Sequence, residues 1–196
     1  MNLPNKLSLA RICLIPVFVV LFYVNFPYHH IAAAAVFVIA ASTDFIDGHI
    51  ARKYNLVTNL GKFLDPIADK VLVSTAFIVM LTDSAILYPS EGAFWLPVWG
   101  VIVSVILARE LIISGFRTVA ASRNLVLAAD KIGKIKTVFQ DTAIAVLLVG
   151  GERFFDLSSD PLLLTGVGLL AVATILTIVS GVHYIVKNFA VLKEEK

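Results

Sequence analysis

Six stretches of this chain are apolar for about the length of a membrane crossing, and no other feature limits its fold as sharply. They lie roughly at 7–27, 31–52, 60–82, 94–118, 132–150 and 161–189. A helix needs about 20 predominantly apolar residues to cross a bilayer's hydrocarbon core. Lipid offers no partner for backbone N–H and C=O groups, so only helices and closed barrels span it, and unbroken apolar runs of this length select helices. The composition agrees: 59% of residues are hydrophobic, 15% are charged, and mean hydropathy is +0.90. Soluble domains sit near about 45–50% and about 25%. An ordinary soluble domain and a disordered chain are therefore excluded. A net charge of +2 dispersed among apolar residues leaves no footprint for nucleic acid. The first run opens with Asn5, Lys6, Ser8 and Arg11 but continues to Phe26 without a small-residue cleavage site, so it reads as an uncleaved span. The lone Cys13 cannot form an internal disulfide and reads as a buried small apolar residue. Neither a repeat nor an interdomain linker is visible, which predicts one domain over 1–196.

The connections alternate in charge. The first, around Asn25 to His30, and the third, Asp83 to Phe94, carry no Lys or Arg; the fifth, Gly150 to Pro161, carries only Arg153. The other 15 of the 16 basic residues fall at the N-terminus, around connections two and four, and at the C-terminus. Cytoplasmic loops collect Lys and Arg. The expected architecture is thus all-α and polytopic: six transmembrane helices in a cell membrane, with both termini cytoplasmic. Trp95, Trp99, Tyr23 and Tyr28 would form an outer aromatic belt.

Four carboxylates break the apolar pattern. Asp44 and Asp47 lie near the end of the second run, Asp65 and Asp69 near the start of the third. Each costs at least a few kcal/mol in a membrane helix unless paired, hydrated or metal-bound. Asp44 and Asp47 are spaced i,i+3 and share a helix face, as do Gly61, Asp65 and Asp69, spaced by four. The short connection around 54–59 makes the two helices antiparallel neighbours, so both pairs converge at the cytoplasmic end of one hairpin. Hydrated helix caps would account for one or two such groups, not for four on facing stripes. Oxygen ligands without Cys or a nearby His pair select Mg²⁺, Mn²⁺ or Ca²⁺, and four carboxylates balance two divalent ions. Gly48, Ala51 and Gly61 surround the acids. Small residues there let a phosphorylated ligand approach the backbone or let helices pack closely, and the residues alone leave both readings open.

Asp44-x-x-Asp47-Gly48-x-x-Ala51-Arg52, eight residues, then Gly61-x-x-x-Asp65-x-x-x-Asp69 resembles the signature of the CDP-alcohol phosphotransferases at all eight fixed positions. The likeness extends to Asn5-x-x-Ser8-x-x-Arg11 and to Arg109-Glu110 and Lys136, as in bacterial members; Ser8 stands where Thr is the commoner residue. The resemblance implies transfer of a phosphatidyl group from CDP-diacylglycerol to an alcohol, with release of CMP. It implies two ions, Mg²⁺ or Mn²⁺, on Asp44, Asp47, Asp65 and partly Asp69, with Asp69 also the base, and a homodimer. CDP-diacylglycerol would be held by Asn5, Ser8, Asp47, Gly48, Ala51, Arg52 and Gly61. Arg52 suits bidentate phosphate contact, although it could equally anchor the inner face.

Arg109 and Arg117 lie i,i+8 on the fourth span, nearly on one face, and Lys134 begins the fifth. Arg109 falls inside the membrane boundary and needs a partner or an anionic ligand; Glu110 is adjacent but points away by about 100°. A basic group beside a metal site predicts an acceptor that carries its own phosphate, glycerol 3-phosphate or an inositol phosphate. A divalent-cation transporter is the competing class, but its site would sit near the midplane among repeats or broken helices. His29, His30 and His183 lack ligand spacing and read as interfacial.

Overall fold

The computed structural model describes residues 2–53, 58–83, 86, 95–123, 125, 127, 131–152 and 161–189, with side chains at all of these except 4, 44–53, 59–60, 62–63, 95 and 131. Among the described residues there are six long helices and no strand: α1 Leu3–Tyr23, α2 His29–Lys53, α3 Asn59–Met80, α4 Trp95–Ser122, α5 Lys131–Gly150 and α6 Pro161–Lys187. Each falls on one of the six apolar runs. Three are long and apolar enough to cross a membrane by themselves, over Asn5–Tyr23, Leu96–Ser122 and Pro161–Lys187. Charged residues interrupt the apolar windows of α3 and α5, and the apolar stretch described on α2 runs over His29–Thr43.

Each helix buries one stripe. On α1, Asn5, Ser8, Arg11, Ile15, Phe18 and Phe22 are all buried, spaced by three or four as one helix face requires. The polar first half and the apolar second half of α1 thus face the same way, and the stripe packs on α2 and α3. On α6, Leu163, Gly166, Leu170, Ala173, Thr177, Ser180 and Tyr184 repeat the pattern against α5. Phe18, Phe37, Phe77, Ile106, Ile144 and Leu147, drawn from five helices, meet in one core.

Leu111, Leu164 and Val186 point outward at 69%, 76% and 71% exposure. Lipid tails are as apolar as such side chains, so helix association in lipid rests on close packing rather than on escape from water. The α5–α6 crossing is built for that. A Cβ on Gly166 would lie 2.7 Å from the Leu147 side chain and 3.2 Å from its backbone nitrogen, and one on Gly150 would lie 2.9 Å from Leu163.

Local chemistry sets the ends. Thr58 caps α3, its hydroxyl accepting from the Gly61 N–H. Tyr28, at φ 64°, takes the left-handed conformation in the turn between α1 and α2. Pro66 sits inside α3, where it removes one N–H from the helix ladder. Three side chains correct the sequence reading. Trp99 is buried in the core instead of lying at the interface, His30 is buried, and Cys13 is exposed instead of buried. Trp95 has no described side chain, and Arg153 lies outside the described residues.

Candidate active site

The chain reverses direction at every connection, so the start of α1, the end of α2, the start of α3, the end of α4, the start of α5 and the end of α6 share one end of the bundle. Fifteen of the 16 Lys and Arg residues fall in or beside the segments that meet there. Asp44, Asp47, Gly48, Ala51 and Arg52 occupy the last turns of α2, where the backbone is helical; their side chains lie outside the described residues. Arg11 reaches this segment from α1. It is fully buried, and its Nε donates to the Ala40 carbonyl at 3.0 Å and to Thr43 Oγ1 at 3.2 Å, immediately before Asp44.

Asp65 is held from α1. The Ser8 hydroxyl donates to Asp65 Oδ1 at 2.6 Å. One turn earlier, Asn5 Oδ1 accepts from the Thr58 hydroxyl at 2.9 Å, and Thr58 Oγ1 in turn accepts from the Gly61 N–H at 3.0 Å. Gly61 has to be small here: a Cβ would stand 2.9 Å from Asn5 Oδ1 and 3.3 Å from Thr58 Oγ1. Asn5, Ser8 and Gly61, expected at the substrate, thus also form the frame that seats the start of α3 and orients Asp65. A carboxylate fixed by a hydroxyl donor is the kind of oxygen ligand that suits a hard divalent ion, so Asp65 fits the metals expected for it.

Asp69, Arg109, Arg117 and Lys134 line one open cavity of about 930 Å³. The four residues assigned from sequence to the base and to the acceptor phosphate are therefore brought together by α3, α4 and α5. Lys70 and Tyr184 line it too. Arg117 lies 5.4 Å over the Tyr184 ring, with its Nε donating to the Tyr184 hydroxyl at 3.2 Å. Arg109 does meet Glu110 despite the adjacent positions: Nη1 donates to Glu110 Oε1 at 3.2 Å, and Nη2 donates to Ser180 at 3.0 Å. Gly181 gives the Arg109 stem its room, since a Cβ there would approach Arg109 Cγ to 3.0 Å. The ammonium of Lys136, itself buried, donates to the same Glu110 oxygen. Arg109 and Lys136 are thus anchored by an internal anion, whereas Lys134 is exposed and Arg117 is tethered only to Tyr184 among the described residues. Sequence reasoning singled out Glu110 and Lys136 but missed that they pair, and it missed Tyr184 altogether. The signal available was the i,i+4 spacing of Lys136 and Gln140 on an otherwise apolar face.

The profile of the CDP-alcohol phosphatidyltransferases matches residues 1–187. The chain belongs to this family. A CDP-diacylglycerol–glycerol-3-phosphate 3-phosphatidyltransferase of Bacillus subtilis is 43% identical to it over 98% of this chain and 97% of the relative. One from Rickettsia bellii is 40% identical over 93% of each. A cardiolipin synthase (CMP-forming) of Oryza sativa is 34% identical over 98% of this chain and 59% of the relative. This CDP-alcohol phosphatidyltransferase therefore has relatives with two differently named activities, each matching nearly all of the chain.

Proposed function

We propose that the protein transfers the phosphatidyl group of CDP-diacylglycerol to sn-glycerol 3-phosphate, giving phosphatidylglycerol phosphate and CMP. The observation that carries this reading is the single cavity lined by Asp69 together with Arg109, Arg117 and Lys134: a carboxylate base beside cations that can hold an acceptor's own phosphate. The names of the Bacillus and Rickettsia relatives, 43% and 40% identical, support the same acceptor.

In this reading Asp44, Asp47, Asp65 and Asp69 hold two Mg²⁺ or Mn²⁺ ions. When bound, these neutralise charge building on the pyrophosphate in the transition state and align the reacting groups. Ser8 keeps the Asp65 carboxylate in place. Asp69 orients the acceptor hydroxyl and takes its proton as the new P–O bond forms and the P–O bond to CMP breaks. Arg117 and Lys134 fix the acceptor phosphate, a role the bidentate guanidinium suits. Arg109 shapes the cavity wall from its seat on Glu110. Asn5, Gly48, Ala51, Arg52 and Gly61 form the nucleotide side. The acyl chains stay in lipid alongside the outward apolar residues of the bundle.

The topology follows the same logic: one domain over 1–196, six crossings, both termini and the site cytoplasmic, in a bacterial plasma membrane, acting as a homodimer as the family resemblance implies. The charge alternation of the connections supports this orientation. The test is purified protein with CDP-diacylglycerol, Mg²⁺ and a panel of alcohols, measuring CMP release. Release dependent on glycerol 3-phosphate is expected. Release with an unphosphorylated alcohol alone overturns the acceptor assignment, and metal flux in proteoliposomes without CMP release overturns the enzyme.

A further inference from the structure

The far end of the bundle holds a second cluster, assembled from residues far apart along the chain. His29 and His30 begin α2, and Glu152 follows α5, yet one ring nitrogen from each histidine and a Glu152 carboxylate oxygen lie within 4.8 Å of one another. From His29 to Asp44 is 15 residues of α2, about 22 Å at about 1.5 Å per residue, so this cluster is remote from the aspartates.

The hydrogen bonds decide where the lone pairs are. His29 Nδ1 lies 3.0 Å from the Phe22 carbonyl, an acceptor only, so Nδ1 carries the hydrogen and Nε2 keeps its lone pair. His30 Nε2 lies 2.9 Å from Asp83 Oδ2 and donates to it. In the neutral ring, that leaves His30 Nδ1 as an acceptor. It is buried, has no hydrogen-bond partner among the described residues, and lies 3.9 Å from Glu152 Oε1. A lone pair facing a carboxylate oxygen repels it, and 3.9 Å is too long for a shared proton to bridge. A cation between them removes the repulsion. Glu152 Oε1 accepts the His30 N–H at 2.6 Å and lies 3.4 Å from the Ile31 nitrogen, leaving the second oxygen for a ligand. Gly151 packs directly on the ring: a Cβ there would lie 3.1 Å from His30 Nδ1.

We propose that His29, His30 and Glu152 form a second metal site, a two-histidine, one-carboxylate set for Zn²⁺. Imidazole nitrogens select zinc over the Mg²⁺ suited to an all-oxygen site. Asp83 is the outer carboxylate that fixes the tautomer and orientation of a ligating histidine. Zinc bonds of about 2.0–2.2 Å require the three atoms to close in by roughly 1 Å, within reach of small side-chain rotations. The ligands come from the start of α2 and the end of α5, with Asp83 just beyond α3, so the metal staples three helices on the face opposite the chemistry.

The test uses the full-length protein in detergent, stripped with chelator and returned to millimolar Mg²⁺ so that the aspartates are occupied. Zn²⁺ is then titrated and bound metal counted after desalting, alongside melting temperature. One Zn²⁺ per chain is expected in the wild type and in Asp65→Asn, with a higher melting temperature on binding. His29→Gln and Glu152→Gln should each weaken binding about 100-fold or more and Asp83→Asn about 10–100-fold. Glu152→Gln keeps an oxygen for the two backbone N–H groups, so its metal-free melting temperature should match the wild type. No zinc bound by the Mg²⁺-loaded wild type, wild-type zinc affinity in His29→Gln or Glu152→Gln, or loss of the zinc in Asp65→Asn each overturns the site.

Discussion

The Ser8 hydroxyl on α1 donates a 2.6 Å hydrogen bond to the Asp65 carboxylate on α3, across 57 residues of sequence. Ser8 is wholly buried, so no water takes its place if it is removed. The first helix thereby acts on the α2–α3 hairpin without belonging to it. Ser8→Ala should raise the Mg²⁺ concentration needed for half-maximal CMP release about 10–100-fold, the usual cost of losing an outer-shell partner, with turnover largely recovered at saturating Mg²⁺. Ser8→Thr keeps the donor and should stay close to the wild type. An unchanged Mg²⁺ requirement in Ser8→Ala would remove Ser8 from the site's machinery.

Asp69 lines the cavity shared with the basic residues, whereas Asp65 is fixed on the α1 side. Asp69→Asn should keep most CDP-diacylglycerol binding and lose about 10²–10⁴-fold in turnover, the range for a general base. Asp65→Ala should instead fail to bind metal. Comparing nucleotide binding and single-turnover rates separates the two, and near-wild-type turnover in Asp69→Asn would move the base elsewhere.

Arg117 and Tyr184 form one unit, through the 3.2 Å hydrogen bond and the ring contact. Arg117→Ala should raise KM for glycerol 3-phosphate, with little change for CDP-diacylglycerol. A lost charge-assisted contact of about 1.5–3 kcal/mol is roughly 10–100-fold at about 1.4 kcal/mol per decade. Tyr184→Phe keeps the ring but loses the hydroxyl and should cost only several-fold in the same constant. Equal losses for both substrates would make Arg117 an inner-face anchor.

Glu110 receives both Arg109 and Lys136. Glu110→Gln keeps the shape but leaves two largely buried cations without their anion. Breaking such an arrangement costs about 3–5 kcal/mol, and a chain of this size moves about 2–4 °C per kcal/mol. The half-inactivation temperature in detergent should therefore fall by on the order of 10 °C. A fall of only about a degree would mean that the pair is solvated and structurally minor.

The helices were legible because their apolar runs are long and unbroken: all six fall where hydropathy puts them, with ends differing by a few residues. The aspartates and the basic group were legible because charge in an apolar run demands a common cause. Which face of each helix turns inward was not. In a soluble helix the apolar side is the buried side, but a lipid-facing surface is as apolar as the core. Trp99 could therefore be buried and Cys13 exposed with no change of pattern. Long-range polar pairing was equally hidden: nothing near His30 announces Glu152, 122 residues away.

The close crossing of α5 and α6 at Gly150 and Gly166 gives the bundle a fulcrum. Lys134 and Lys136 lie on one arm beyond it, Ser180 and Tyr184 on the other. Any side chain larger than hydrogen at Gly166 would meet Leu147 backbone and side chain and prise the arms apart, with the displacement growing toward the cavity. If the cavity holds the acceptor as proposed, acceptor choice can therefore be retuned from the opposite end of the α5–α6 pair, several turns away from the cavity. A search for altered specificity confined to the cavity wall would miss those positions.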